Sequence, residues 1–202
     1  MQIQCECGKF EAEWTGFPKA TPGRAVCYCD DCQSFMHHLQ RTDLLDPAGG
    51  TEIVPAYPSD LHISAGKDSL RCTRLAPKGL MRWSTTCCNT PIGNTAAGFP
   101  WVGLIHCVFN RDGARSVDQA LGPVKSRIMG RFASATPPAG TSAKLELGDM
   151  WVVMPFMLRG FLLGKKKGSP FLEADGKTPI VEPYVLSLQE RNAIRSRLKP
   201  AR

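Results

Sequence analysis

Three closely spaced cysteines, Cys27, Cys29 and Cys32, are the residues most suited to chemistry. Residues two apart on an extended strand point to the same side, so Cys27 and Cys29 can face one ion. A tight turn through Asp30 and Asp31 then brings Cys32 to the same place. Thiolates are preferred zinc ligands, and Cys-x-x-Cys is a recurrent zinc-ligand spacing. The spacing predicts a three-ligand zinc site with an open fourth position, which is typical of catalytic zinc.

Other interpretations of these cysteines stay open. Cys-x-x-Cys can be a redox pair, although that pair usually starts a helix in a βαβ unit, which the pattern does not indicate. The thiols could be buried without metal, or a distant fourth ligand could make the zinc purely structural. His37 and His38 follow the cluster, and on a helix from Cys32 His37 could act as a fourth ligand or an acid/base group, whereas such a pair is more often surface or partly buried. Cys72 and Cys107 lie in apolar runs and are interpreted as buried side chains, with Cys72 as the reserve ligand.

A second set of cysteines combines an early pair with a later one. Cys5 and Cys7 share one face of a strand, but two ligands are too few for zinc. Cys87 and Cys88 are the natural partners, and Cys88 is the stronger candidate. Both can bind one ion only if the backbone turns there, which the following Asn-Thr-Pro sequence favours.

The charge and the cysteine content restrict the environment and the partners. The formal net charge is +7, and the excess of basic residues lies in the second half, at Lys165, Lys166, Lys167 and the tail from 191 to 202. A nucleic acid or an anionic membrane would suit this pattern, although a solvated basic face is the favoured interpretation. The nine cysteines follow no secretory signal pattern. We therefore expect a reducing, cytoplasmic environment in which thiols act as metal ligands or catalytic groups.

The order of segments predicts a mainly β protein. Residues 1–110 consist of short, alternating segments separated by Gly, Pro and Asp, with one helical candidate at 33–40. We predict a zinc-binding antiparallel β domain at 1–115 and a mixed, partly helical extension at 116–202. The extension has an apolar helix near 149–163 and a basic tail. About 14 apolar residues span about 21 Å, against about 30 Å of bilayer hydrocarbon. This helix is interpreted as packed on the core, with a dimer contact and an interfacial membrane helix as alternatives.

The cysteine motifs together resemble the glutathione-dependent formaldehyde-activating enzyme family, which includes centromere protein V. The matching segments are CECG at 5–8, CYCDDCQ at 27–33, GGT at 49–51 and RWSTTCCNTPIGN at 82–94. The resemblance covers about residues 1–110 and implies a zinc-stabilised β-tent. It assigns a structural zinc to Cys5, Cys7 and Cys88. It assigns a second zinc, associated with activity, to Cys27, Cys29 and Cys32.

Two departures from that family pattern concern the structural site. The family's Cys-x-x-Cys would need a cysteine at position 85, where this chain has Thr85. The site is therefore either remodelled around Cys87 or incomplete. The family's Cys-Gly-Thr reads Cys88-Asn89-Thr90, and Asn tolerates the positive φ that Gly usually supplies.

The resemblance implies a zinc-dependent carbon–sulfur lyase that acts on a small thiol adduct of the S-hydroxymethylglutathione type. Glutathione carries two carboxylates, which arginine suits by its bidentate geometry. Arg71, Arg74 and Arg82, with Lys78, are the nearest basic residues. The alternative is a non-catalytic, zinc-scaffolded binding module whose basic C-terminal half contacts nucleic acid, membrane or protein. A homodimer is compatible with either function.

Overall fold

Two β-sheets dominate the computed structural model, which describes residues 1–109, 119 and 121–198. The smaller sheet is antiparallel, in the order β1 (Gln2–Gln4), β2 (Glu11–Trp14) and β5 (Leu61–Ala65). The larger sheet has the order β10 (Val124–Ile128), β3 (Arg24–Cys27), β4 (Thr51–Ala56), β9 (Val102–Ile105), β8 (Pro91–Thr95), β7 (Met81–Thr85), β6 (Leu70–Arg74) and β11 (Tyr184–Val185). Its neighbours are antiparallel except the outer pairs β10–β3 and β11–β6, which are parallel. The predicted mainly β fold is confirmed.

The central strands of the larger sheet are covered on both faces. Trp14 of the smaller sheet and Trp83 of β7 belong to the main core, which fills the space between the sheets. On another face, α1 (Asp30–Leu39) packs Phe35, Met36 and Leu39 against Ile105. Because both faces are covered, β7, β8 and β9 are buried at every position.

Helix α1 begins earlier than the predicted segment 33–40. Cys29 is its N-cap, and the Cys29 sulfur accepts a hydrogen bond from the Cys32 amide at 3.3 Å. Asp30 and Asp31 occupy the first turn, where carboxylates complement the helix dipole. The expected turn between Cys29 and Cys32 is therefore the first turn of a helix. The strands on either side of α1, β3 and β4, are antiparallel, so no βαβ unit surrounds it.

Among residues 122–198, two further helices are described, α2 (Leu147–Leu162) and α3 (Leu188–Arg195). Helix α2 begins after Glu146, and the Asp149 carboxylate accepts a hydrogen bond from the Glu146 amide at 3.1 Å. The helix therefore starts two residues before the predicted 149. Throughout the described part of the chain, every helix is too short or too polar to cross a bilayer.

The C-terminal part also contributes side chains to the main core. Phe171 is 2% exposed, and its ring lies 5.0 Å from that of Trp83. Residues 134–142 contain no helix or strand. The expected boundary between residues 115 and 116 falls outside the described residues.

Candidate metal centres

Cys5, Cys7, Cys87 and Cys88 come together as one group, the four-cysteine cluster. The Cys5 sulfur lies 3.6 Å from that of Cys7 and 3.8 Å from that of Cys87. The Cys87 sulfur lies 3.3 Å from that of Cys7 and 3.6 Å from that of Cys88. A zinc–sulfur distance of about 2.3 Å gives a tetrahedron with edges of about 3.8 Å. The donor set and its spacing therefore fit a closed, four-coordinate metal site.

The turn between β7 and β8 makes this arrangement possible. The Asn89 amide donates to the Thr85 carbonyl at 3.1 Å, and Asn89 adopts a positive φ of 52°. This reversal lets adjacent Cys87 and Cys88 face the same point, which an extended strand would prevent. The Glu6 amide donates to the Thr90 hydroxyl at 3.0 Å, so the turn is also attached to the loop that carries Cys5 and Cys7.

The environment of Cys88 already favours a thiolate. Burial acts to raise its pKa, but hydrogen bonds from the Thr85 and Thr90 hydroxyls lower that pKa to about 5. The Thr85 and Thr90 oxygens lie 3.4 and 3.1 Å from the Cys88 sulfur. For Cys87, burial and the neighbouring Cys7 thiol raise the pKa to about 12. Cys88 therefore favours the deprotonated form, and cysteines must be deprotonated to bind a metal ion.

The three-cysteine cluster consists of Cys27, Cys29 and Cys32, whose sulfurs all lie within 4.8 Å of one another. Cys27 ends β3, Cys29 caps α1, and Cys32 stands in the first turn of that helix. Among residues 1–109, 119 and 121–198, no further Cys, His, Asp or Glu joins them. Three thiolates therefore fit a metal site that keeps one position for another ligand.

The charge of this cluster concentrates on Cys32, which is 6% exposed. Hydrogen bonds from the Cys27 and Cys29 thiols hold the pKa of Cys32 well below its usual range, and Arg82 lowers it further by a hydrogen bond and by its charge. Hydrogen bonding to Cys29 raises the pKa of Cys27 well above its usual range. Cys32 is consequently the first thiolate of the cluster.

Arg82 is the basic residue at this cluster, and it is 3% exposed. Its guanidinium donates to the Asn94 side chain at 3.2 Å and lies 5.5 Å from the centre of the Phe35 ring. Three thiolates and one divalent cation carry a net negative charge, which a neighbouring guanidinium offsets. Arg82 is thus placed to neutralise the site.

The three arginines predicted to bind substrate lie apart. Arg71 donates to the Ser84 hydroxyl at 3.3 Å and to the Asn89 side chain at 3.0 Å, next to the four-cysteine cluster. Arg74 donates to the Pro77 carbonyl at 3.0 Å. The structure therefore brings only Arg82 to the three-cysteine cluster.

The other candidate residues lie outside both clusters. The His38 ring lies 6.4 Å from that of Tyr184, and burial lowers the pKa of His38 and of His37. Burial raises the pKa of Cys72 and of Cys107 to about 12. None of these four belongs to either group of sulfurs.

Helix α3 is a neighbour of the three-cysteine cluster that the sequence interpretation missed. Arg195 pairs with Asp30 and Asp31, the two residues between Cys29 and Cys32. The sequence does contain one indication of this helix, a capping box in which the side chains of Ser187 and Glu190 each accept a hydrogen bond from the other residue's backbone amide. It indicates that the basic tail contains a helix, but not where the helix packs.

The fold and the two clusters define a mainly β protein with two thiolate sites suited to a metal ion. The chain belongs to the family described as a family of unknown function, DUF6151, whose family model matches residues 1–183. A search of curated proteins gave no match. A similar solved structure is the crystal structure of a Rhodobacter sphaeroides protein from a structural genomics project. It is 18% identical over 61% of this chain and 97% of that chain, with a TM-score of 0.41.

Proposed function

We propose that the protein holds two zinc ions and acts on a small thiol adduct at the three-cysteine cluster. The observation that carries the proposal is the contrast between the two sites. Four thiols surround one point in the four-cysteine cluster. The other site, the three-cysteine cluster, consists of three thiols beside the buried guanidinium of Arg82. In proteins, closed tetrahedral zinc is structural, whereas catalytic zinc keeps a position for water or substrate.

The proposed roles follow from the chemistry of each donor. Cys5, Cys7, Cys87 and Cys88 would hold the structural zinc, and Cys27, Cys29 and Cys32 would hold the other. Zinc at the three-cysteine cluster would polarise a carbonyl oxygen or stabilise a bound thiolate. Arg82 would offset the negative charge of the three thiolates, so that an anionic sulfur of the substrate can approach.

The reaction class comes from the resemblance to the glutathione-dependent formaldehyde-activating enzymes. It implies formation or cleavage of the carbon–sulfur bond of an S-hydroxymethyl adduct, such as that of glutathione with formaldehyde. Adduct formation joins the thiol sulfur to the aldehyde carbon, and the thiol proton ends on the aldehyde oxygen. The sequence also predicts Arg71 and Arg74 as partners for the carboxylates of the thiol, and this part of the proposal has no support from the geometry, since neither lies beside the three-cysteine cluster.

Metal analysis of the purified chain tests the proposal. The wild type is expected to carry two zinc equivalents. Cys29→Ser is expected to lose one of them while its circular dichroism spectrum stays unchanged. Cys107→Ser is the matched control, because the Cys107 sulfur lies outside both clusters, 3.5 Å from the Pro91 carbonyl. A wild type without zinc would contradict the proposal.

Carbon-13 NMR of labelled formaldehyde mixed with glutathione tests the reaction. The wild type is expected to speed exchange between free aldehyde and adduct, and Cys29→Ser is expected to abolish the acceleration. Two bound zinc ions with no acceleration by the wild type would contradict the enzyme proposal and favour the binding module.

A further inference from the structure

Helix α2 exposes an apolar surface along its whole length. Seven of its side chains form this surface, here called the outer face, and each is between 40% and 78% exposed: Leu147, Met150, Trp151, Met154, Leu158, Phe161 and Leu162. They recur at spacings of three and four residues, so they share one side of the helix. Leu163 directly after the helix is 57% exposed and extends the face.

The opposite side of α2 fixes the helix in this orientation. Phe156 stacks on Tyr57 at 4.1 Å, and the Tyr57 hydroxyl donates to the Phe156 carbonyl at 2.8 Å. Gly160 lies so close that an added Cβ would stand 2.7 Å from the Tyr57 ring and 2.8 Å from Pro100. Because these contacts prevent the helix from rolling, its outer face cannot turn into the core.

The outer face is larger than a monomer normally leaves exposed. At the exposures given above, these residues together present on the order of 900 Å², whereas the largest apolar patch on a typical monomer is roughly 300–600 Å². A helix that is apolar on all sides is normally covered on all sides, by protein or by lipid. The core covers one side of α2, so the other side requires an additional contact.

Basic residues surround this face. Lys144 precedes the helix, and Lys166 and Lys167 follow it, all three exposed. Lys19 and Arg159 line a groove beside the helix, together with Val152 and Pro155. The Lys166 ammonium lies 6.0 Å from the centre of the Phe161 ring, so charge and apolar surface adjoin directly.

The acidic residues near α2 are already engaged. Glu146 and Asp149 form the capping box at the helix start, and Asp60 accepts a hydrogen bond from Lys165 at 2.7 Å. A second copy docked on the outer face would therefore bring mainly like charges together. An anionic lipid surface would instead complement the basic rim.

We propose that the outer face of α2 lies in the interface of an anionic lipid membrane, parallel to its plane. Trp151, Phe161 and the leucines would enter the boundary between headgroups and acyl chains. Lys166 and Lys167 would contact the lipid phosphates and carboxylates. The 16 residues of α2 reach about 24 Å, less than the about 30 Å of a hydrocarbon core, so the helix lies on the membrane.

Vesicle flotation of the full-length chain tests this proposal. The wild type is expected to float with vesicles of mixed phosphatidylserine and phosphatidylcholine and to stay behind with pure phosphatidylcholine. Lys166→Gln with Lys167→Gln is expected to weaken partitioning about 25-fold, because each basic residue contributes about fivefold. Trp151→Ser with Leu158→Ser is expected to weaken it by at least about 100-fold, through lost apolar burial.

Two matched variants control for general loss of apolar surface or charge. Leu188→Ser removes a leucine that is 64% exposed on α3. Lys67→Gln removes an exposed lysine that is distant from α2 in the sequence. Both are expected to float as the wild type does. Trp151 also serves as a probe, since its fluorescence should shift to the blue with anionic vesicles and Trp151→Phe should remove that shift.

The proposal fails if wild-type protein does not float with the anionic vesicles. It also fails if light scattering shows a dimer that Trp151→Ser with Leu158→Ser converts to monomers, because a second copy then covers the face. Zinc content and adduct chemistry are not involved in these measurements, so their outcome is independent of the proposed enzyme function.

Discussion

Arg195 donates a hydrogen bond to Asp31 across 164 positions of the sequence, and the distance between its Nη2 and the Asp31 Oδ1 is 2.8 Å. The same nitrogen lies 3.1 Å from a carboxylate oxygen of Asp30. Both aspartates stand between Cys29 and Cys32, in the first turn of α1. Helix α3 is therefore attached to the first turn of α1, which lies between Cys29 and Cys32 of the three-cysteine cluster.

Removing this contact should affect the metal site more than the fold. The side chains of Arg195 and Asp31 are 39% and 45% exposed, so Arg195→Gln should cost at most about 1 kcal/mol of unfolding free energy. The freed first turn of α1 should release its ion sooner. We expect chelator-driven zinc loss from the three-cysteine cluster to be several-fold faster than in the wild type. Arg197→Gln, two residues further on, is the control, and equal release rates in all three proteins would contradict the prediction.

The start of α3 should be sensitive to acid. Hydrogen bonds from the Ser187 hydroxyl, the Tyr184 hydroxyl and the Ser187 amide lower the pKa of Glu190 to about 2, from a usual 4.5. Since the folded pKa is below the unfolded one, this cap stabilises the helix fully above pH of about 4.5. The stabilisation is lost as the pH falls through about 2.

An NMR titration of the Glu190 carboxyl carbon measures this directly. The Glu190 carboxyl of the wild type should titrate near pH 2. Ser187→Ala should raise the pKa of Glu190, because it removes the Ser187 hydroxyl and leaves only the Tyr184 hydroxyl and the backbone amide of residue 187 as donors. A wild-type midpoint near the usual value would contradict the capping arrangement.

Local geometry explains which parts of the site could be predicted. Cys27 and Cys29 are two residues apart on extended chain, so sequence spacing alone indicates their common direction. The start of α1 was predicted too late, because the apolar periodicity begins after Cys32 and a cysteine is not among the usual capping residues. The hydrogen bond that the Cys29 sulfur accepts from the Cys32 amide is visible only in the structure.

The register between strands that are distant in sequence decides where the arginine side chains lie, and the sequence alone could not indicate this. Arg82 is buried because its partners, Asn94 and Phe35, come from a neighbouring strand and from α1. The sequence alone does not distinguish Arg71, Arg74 and Arg82 as partners for carboxylates, since they lie close along the chain. The pairing of β6 with β7 sets Arg71 opposite Ser84 and Thr73 opposite Arg82, so the guanidinium groups have different neighbours.

Cys72 and Cys107 should stay unreactive when the clusters are opened. Burial raises the pKa of both thiols to about 12, so almost no thiolate forms at neutral pH. After chelation under native conditions, we expect an alkylating reagent to modify Cys88 first, because its pKa is about 5, and to spare these two. Mass spectrometry of the peptides gives the result, and full denaturation provides the control in which all nine react. Early modification of Cys72 would contradict its burial.

Arg82 should be needed as a cation beside the three-cysteine cluster. Arg82→Met keeps much of the side-chain volume but removes the hydrogen bond to Asn94, the contact with Phe35 and the charge, at a cost of about 2 kcal/mol. Zinc affinity at this cluster should fall by about tenfold or more, while the four-cysteine cluster keeps its ion. Arg82→Lys separates the effects, because it restores the charge without the planar guanidinium. Competition with a chromogenic chelator measures both variants, and unchanged affinity in Arg82→Met would disprove the role.

Position 85 tests how Cys87 completes the four-cysteine cluster. The Thr85 hydroxyl already lies 3.4 Å from the Cys88 sulfur, so a cysteine there would point into the cluster. Cys87→Ser should lose one zinc equivalent and about 3 kcal/mol or more of stability. Adding Thr85→Cys should restore the ion, at a cost of about 1 kcal/mol for the hydrogen bond that the Thr85 hydroxyl accepts from the Thr90 amide.

The neighbouring threonine supplies the matched control for this rescue. The Thr86 hydroxyl donates to the Ser69 carbonyl at 3.2 Å, away from the sulfurs, so Thr86→Cys with Cys87→Ser should not regain zinc. Metal analysis and thermal unfolding of the three variants give the comparison. If Thr86→Cys restored zinc binding and Thr85→Cys did not, Cys87 would not take the place of a ligand at position 85. The side chains of the turn would then point in directions that disagree with the hydrogen bonds described above.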